Sequence, residues 1–126
     1  MSNNNKGLHP FQIQEIKKGL KKDLNSFIQN NHSGTLTEGI QEGINKVNYH
    51  LDLVDGLITS DAMQRIINTS SVFEQYFNNE KGENSNDRFI SGFDMSSKIY
   101  LGAIIGQPQP LRNFYPLNPS IPSLNT

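Results

Sequence analysis

The side chains with the widest chemical range in this sequence are three histidines, His9, His32 and His50. A zinc site on a helix needs two ligands three or four positions apart, because that spacing puts both on one face. His50 has no histidine or carboxylate three or four positions before it, although Asp52 and Asp55 lie nearby in sequence. It reads as an exposed or partly buried helical histidine. Cysteine is absent, which removes disulfides, thiolate metal sites and a cysteine nucleophile. No metal and no cofactor is expected.

Acid–base catalysis needs two carboxylates held across a cleft with separated proton affinities. Glu38 and Glu42 sit one helical turn apart, and Asp52 and Asp55 nearly so, but no histidine or nucleophile joins either pair. Lys46 follows Glu42 by four positions, the favourable order for a surface ion pair. The chain has no Gly-x-Ser-x-Gly elbow and no glycine-rich phosphate loop, so neither acyl nor phosphoryl transfer has a motif to stand on. A catalytic reading would require His50 to meet Glu74 or Asp94 in a cleft between helices.

Binding chemistry is better represented. Lys17, Lys18, Lys21 and Lys22 form one basic cluster, placed by steps of one, three and four on the outer side of a helix. Glu15 and Asp23 dilute it, and no aromatic is interleaved for base stacking, so an acidic protein surface is favoured over nucleic acid. Gly39 and Gly43 form a small-residue notch. Each glycine costs a helix interior about 1 kcal/mol relative to alanine, which close approach of another helix would offset. Beyond residue 106, Phe114 and Tyr115 stand out in a segment with five of the six prolines. That segment also has two PxxP spacings, with Arg112 the nearest basic anchor for recognition by an SH3-type domain.

Four segments with helical periodicity position these residues. The first covers residues 10–30, with Ile13, Ile16, Leu20, Leu24, Phe27 and Ile28 on one stripe and Pro10 suited to the first turn. The second opens on Thr35 and Glu38 at capping-box spacing, and its stripe runs from Leu36 through Ile40, Ile44, Val47, Leu51 and Val54 to Leu57. Thr59, Ser60 and Asp61 offer caps for a third helix, which is expected to bury Met63, Ile66, Ile67, Phe73 and Phe77, with Val72 and Tyr76 widening the stripe. The short connection predicts an antiparallel hairpin of helices two and three. After a polar loop at 78–86, Asn86 or Asp87 is expected to cap a fourth helix. That helix carries Phe89, Ile90, Phe93, Ile99, Tyr100, Leu101, Ile104 and Ile105. It is apolar around much of its circumference, which makes it central to the chain or shared with a second subunit. Gly106, followed by Pro108 and Pro110, ends it.

The predicted architecture is an all-α, small antiparallel four-helix bundle over residues 9–106, with a flexible start at 1–8. A Pro-rich tail at 107–126 is expected to pack partly or to bind a partner. The expected core includes Leu20, Leu24, Ile44, Leu51, Ile66, Phe73, Phe93 and Ile104. A chain of 126 residues fits one domain. Its 11 basic and 12 acidic residues give a net charge of −1, with no global field to draw it to DNA or an anionic membrane. No apolar run reaches the length of a membrane span, and residues 1–7 have no apolar stretch of the signal-peptide kind.

With no catalytic motif, a helical core and apolar surplus, the expected function is that of a non-catalytic protein-binding regulator, a small inhibitor or adaptor. Sixteen asparagines suit an AT-rich bacterial or phage genome and an effector-antagonist role there. The expected setting is the cytoplasm, or a host cytosol reached through a specialised secretion system. Another protein is the expected partner, with self-association as a homodimer also expected and neither nucleic acid nor membrane. An oligomeric structural or secretion-accessory protein, with the fourth helix as a dimer seam, is the remaining alternative.

Overall fold

A computed structural model describes residues 7–80 and 82–106. Four helices follow in order: α1 Pro10–Gln29, α2 Leu36–Leu53, α3 Ser60–Asn79 and α4 Asn86–Ile105. Phe114 and Tyr115 lie outside the described residues. Among those residues the only extended pairing is one bridge between Gly34 and Ser85, which fastens the α1–α2 turn to the start of α4. No described helix is long and apolar enough to cross a membrane.

Local chemistry explains where each helix starts and stops. His9 precedes α1, its Nδ1 accepting from the Phe11 amide at 3.1 Å, while Gln12 Oε1 accepts from the His9 amide at 2.7 Å. Thr35 and Glu38 close the expected reciprocal capping box at 3.0 and 2.9 Å. Thr59 caps α3 through the Ala62 amide. At α4 the cap is Ser85, which accepts from the Arg88 amide, and not Asn86 or Asp87. Asn86 instead donates to the His32 carbonyl at 2.7 Å, serving the chain that leaves α1. Gly106 ends α4 in the left-handed region, at φ 80°, a conformation that costs glycine nothing.

α2 is shorter than its apolar stripe implies. Asp55 adopts φ 52° and the Gly56 amide turns back to the Leu51 carbonyl, so Val54 and Leu57 lie past the helix end and Leu57 is exposed. The polar loop is shorter too, because α3 continues to Asn79 and Glu80 then accepts from the Thr37 amide in the first turn of α2. A carboxylate there suits the positive end of the helix dipole.

Neighbouring helices in the chain run antiparallel, but the tightest seam joins α2 and α4, which run parallel. A Cβ on Gly39 would fall 2.2 Å from the Phe89 carbonyl oxygen, and one on Gly43 within 2.8 Å of that of Phe93. From the other side, a Cβ on Gly92 would meet the Leu36 carbonyl oxygen at 2.3 Å. The glycines let backbone meet backbone, and Tyr100 donates to Asn48 further along the same seam at 3.0 Å. The predicted close approach at Gly39 and Gly43 is therefore present, made by α4.

This seam divides the core. On one side α1 covers Val47, Leu51, Phe93, Leu101 and Ile104 with Ile16 and Leu20. On the other, α3 covers Leu36, Ile40, Met95 and Ile99 with Phe73 and Tyr76. α3 packs more on α4 than on α2, so the expected α2–α3 hairpin is a minor contact. The face α3 turns inward carries Ala62, Phe73 and Tyr76, while Met63 and Ile67, expected inside, are 48% and 58% exposed. Arg65 shares the inward side because α4 can use its charge, with Nε donating to the Ala103 carbonyl at 2.7 Å, at the negative end of that helix. Of the expected core, Leu20, Leu51, Phe73, Phe93 and Ile104 are buried, whereas Leu24, Ile44 and Ile66 are only partly so. Eleven residues of α4 are buried, so most of its apolar surface is covered within the chain.

Candidate functional site

α1 and α4 run antiparallel, and along one flank they do not close. The gap is a groove of ≈ 500 Å³. Its floor is made by Leu20 and Leu24 from α1 and by Phe93, Leu101 and Ile105 from α4, with Ser97 and Gly102 between them. Lys17 and Lys21 form the α1 edge, and Asp94 and Lys98 the α4 edge. Leu20 and Leu24 are one turn apart, as are Leu101 and Ile105; Leu20, Phe93 and Leu101 are buried at the bottom, and Leu24 and Ile105 are partly exposed above them.

The four predicted lysines are split by their position on α1. Lys17 and Lys21 line the groove, whereas Lys18 and Lys22 do not. Lys18 turns to Glu15 at 3.6 Å. On the opposite edge Lys98 reaches Asp94 at 3.3 Å. Among the described residues Lys17 and Lys21 have no carboxylate within 4.0 Å, although Lys18, Lys46, Lys98 and Arg88 each do. The groove therefore has an apolar floor and a rim with two uncompensated positive charges, in a chain whose net charge is −1.

The sequence names Lys17 and Lys21 but not Lys98 or the floor. Leu20, Leu24 and Phe93 are legible only as core, because periodicity shows that a face is apolar without showing how completely a neighbour covers it. Gly39 and Gly43 belong to the α2–α4 seam and not to the groove.

The histidines hold structural posts. His9 sits at the α1 cap, and His32 packs on Phe89 with ring centroids 4.3 Å apart. His50 meets Asp23 at 2.7 Å and joins α2 to α1, its ring lying where a Cβ on Gly19 would go. Asp94 engages Lys98 in the groove, and Glu74 is exposed on α3. The partners of His50 and Asp94 thus lie apart, and among the described residues no hydrogen bond or ion pair joins either to Glu74. No group of three histidine, aspartate or glutamate side chains that could hold a metal ion occurs among the described residues. A second cavity of ≈ 180 Å³, beside Ile13, Asp61 and Arg65, has its arginine committed to the end of α4.

Comparison of the chain with protein-family models, curated proteins and solved structures returned no match.

Proposed function

We propose that this chain is a non-catalytic protein-binding regulator, of the small inhibitor or adaptor kind, that takes part of its partner into the α1–α4 groove. The observation that carries this reading is the apolar floor bordered by Lys17 and Lys21, neither of which is paired within the described chain. An apolar centre with a polar rim is the common anatomy of a protein interface. Catalysis through His50, Glu74 and Asp94 has less support, because His50 is engaged with Asp23 and Asp94 with Lys98. A dimer seam on α4 has less support too, since eleven residues of that helix are already buried within the chain. A cytosolic setting, in the cell of origin or in a host, belongs to the same proposal.

Site-specific photocrosslinking in cells that express the chain tests this reading. A photoreactive residue in place of Lys98, on the groove edge, is expected to give a discrete protein adduct. The same residue in place of Gln75, exposed on α3, is not. The Lys98-position adduct should disappear when Leu24 is also replaced by glutamate. No adduct from the groove, or the same adducts from both positions, would overturn the reading.

A further inference from the structure

We propose that the groove's occupant is an amphipathic α-helix of a partner protein, bearing two carboxylates one turn apart beside its apolar stripe. This rests on the protein-binding reading above and names the chemistry of the partner. The form of the groove argues for a helix. Leu24 on one wall and Ile105 on the other are the partly exposed apolar side chains, each one turn from a buried residue beneath it, Leu20 and Leu101, so the opening lies between two helical ridges. Such ridges interdigitate with the matching ridges of another helix. The described residues contain no strand, only a single bridge, so no sheet edge is available to receive an extended peptide. Among the described residues the floor is mainly aliphatic, with Phe93 its one aromatic, unlike the aromatic-lined slots that take proline-rich segments.

Charge selects among helices. Lys17 and Lys21 stand at i and i+4 on one edge, with neighbouring Cβ atoms about 5–6 Å apart. Two carboxylates at the same spacing on the partner would meet both. The chain's own tail is the wrong occupant on this ground, since residues 107–126 contain no Asp or Glu and carry Arg112. A second copy is also a poor match. Among the described residues, exposed carboxylates about one turn apart beside an exposed apolar side chain occur at Asp52, Leu53 and Asp55, at the end of α2, whereas the exposed Met63 and Ile67 of α3 have the single carboxylate Asp61 beside them. α1 meets α2 through Gln12 and Asp23 and borders the groove through Lys17 and Lys21. The acidic surface and the groove therefore lie on opposite flanks of α1, and such a head-to-tail contact does not close readily into a dimer.

The test is selection from a displayed library of helical peptides on the immobilised full chain. Enriched peptides are expected to combine Leu, Ile or Phe at i, i+3/i+4 and i+7 with Asp or Glu one turn apart. Binding should shift the amide resonances of Lys17, Lys21 and Ser97, and weaken with salt. The K17E/K21E variant, its fold checked by circular dichroism, should lose about tenfold or more in affinity, and peptides with lysine at the acidic positions should restore it. Enrichment without an acidic pair, no enrichment, or unchanged binding to K17E/K21E overturns the proposal. It is equally overturned by a spin label at Ser123→Cys that broadens the groove amides, by dimerisation that K17E/K21E abolishes, or by binding to phosphatidylglycerol vesicles in preference to every peptide. A groove-specific photocrosslink with any of these results leaves the protein-binding reading standing and removes the acidic helix alone.

Discussion

α4 has two unlike seams. Toward α2 it presents Gly92, and α2 answers with Gly39 and Gly43, so that main chains touch and no side chain larger than hydrogen fits between. Toward α1 it presents Phe93, Leu101 and Ile105, and α1 answers with leucines and lysines, which hold the two helices apart along one flank and leave a groove. The same helix is thus sealed on one side and open on the other. Side-chain size at the contact sets interaxial distance. Here it also separates the part of the molecule that holds the fold together from the part offered to a partner.

The contrast is open to direct attack. The largest expected effect is on the sealed side: Ile40, fully buried beside the seam, should cost about 2–5 kcal/mol when replaced by alanine. Leu24→Ala, on the open side and only partly buried, should cost about 1 kcal/mol. Urea denaturation of the two variants measures the difference, and equal losses would mean that the groove is as much core as the seam. Next comes Gly39→Ala. Alanine favours the helix by about 1 kcal/mol, but its Cβ would fall 2.2 Å from the Phe89 carbonyl oxygen. Overpacking should leave a net loss of about 1–3 kcal/mol, and a stabilised variant would show that the backbones are not in contact.

Smaller effects refine the picture. Thr35→Ala removes one half of the α2 capping box and should lower stability by about 1 kcal/mol. Because α2 forms the sealed seam, hydrogen exchange should speed up in its first turn before it does in α1. Smallest of all, Lys17→Ser with Lys21→Ser should change stability by no more than about 0.5 kcal/mol, since neither lysine has an ion-pair partner among the described residues. A large loss in the thermal midpoint would give these lysines a structural role and weaken the case for the groove as a binding surface.

Much of the fold is legible from residue types. The capping pair Thr35 and Glu38, the cap at Thr59 and the stop at Gly106 act over one turn, so their chemistry is complete within a few residues of sequence. Met63 and Ile67 show where such reading fails. Their apolar character is plain, but of the expected stripe α3 buries Phe73 and Tyr76, sets Ala62 inward with them and leaves Met63 and Ile67 exposed; only the neighbours decide which part of an apolar stripe is covered. The same holds for Asp23 and His50, which are 27 positions apart in sequence yet bonded at 2.7 Å. Of the candidate site, Lys17 and Lys21 are visible as part of a cluster of four. What separates them from Lys18 and Lys22 is the position of α4, to which the sequence of α1 contains no pointer.

The sequence by itself determines that this chain makes four helices, where most of them begin and end, and that α2 carries a notch meant for close approach. Periodicity names a face, and a glycine pair names a distance, because both follow from local geometry. Which helix comes to the notch is decided by tertiary packing alone, since it depends on complementary shape between segments far apart in the chain. α4, with Gly92, fits α2 more deeply than α3 does. That choice places α1 and α3 on opposite sides of the seam, leaves one flank of α1 uncovered, and turns two of four similar lysines into the rim of a groove.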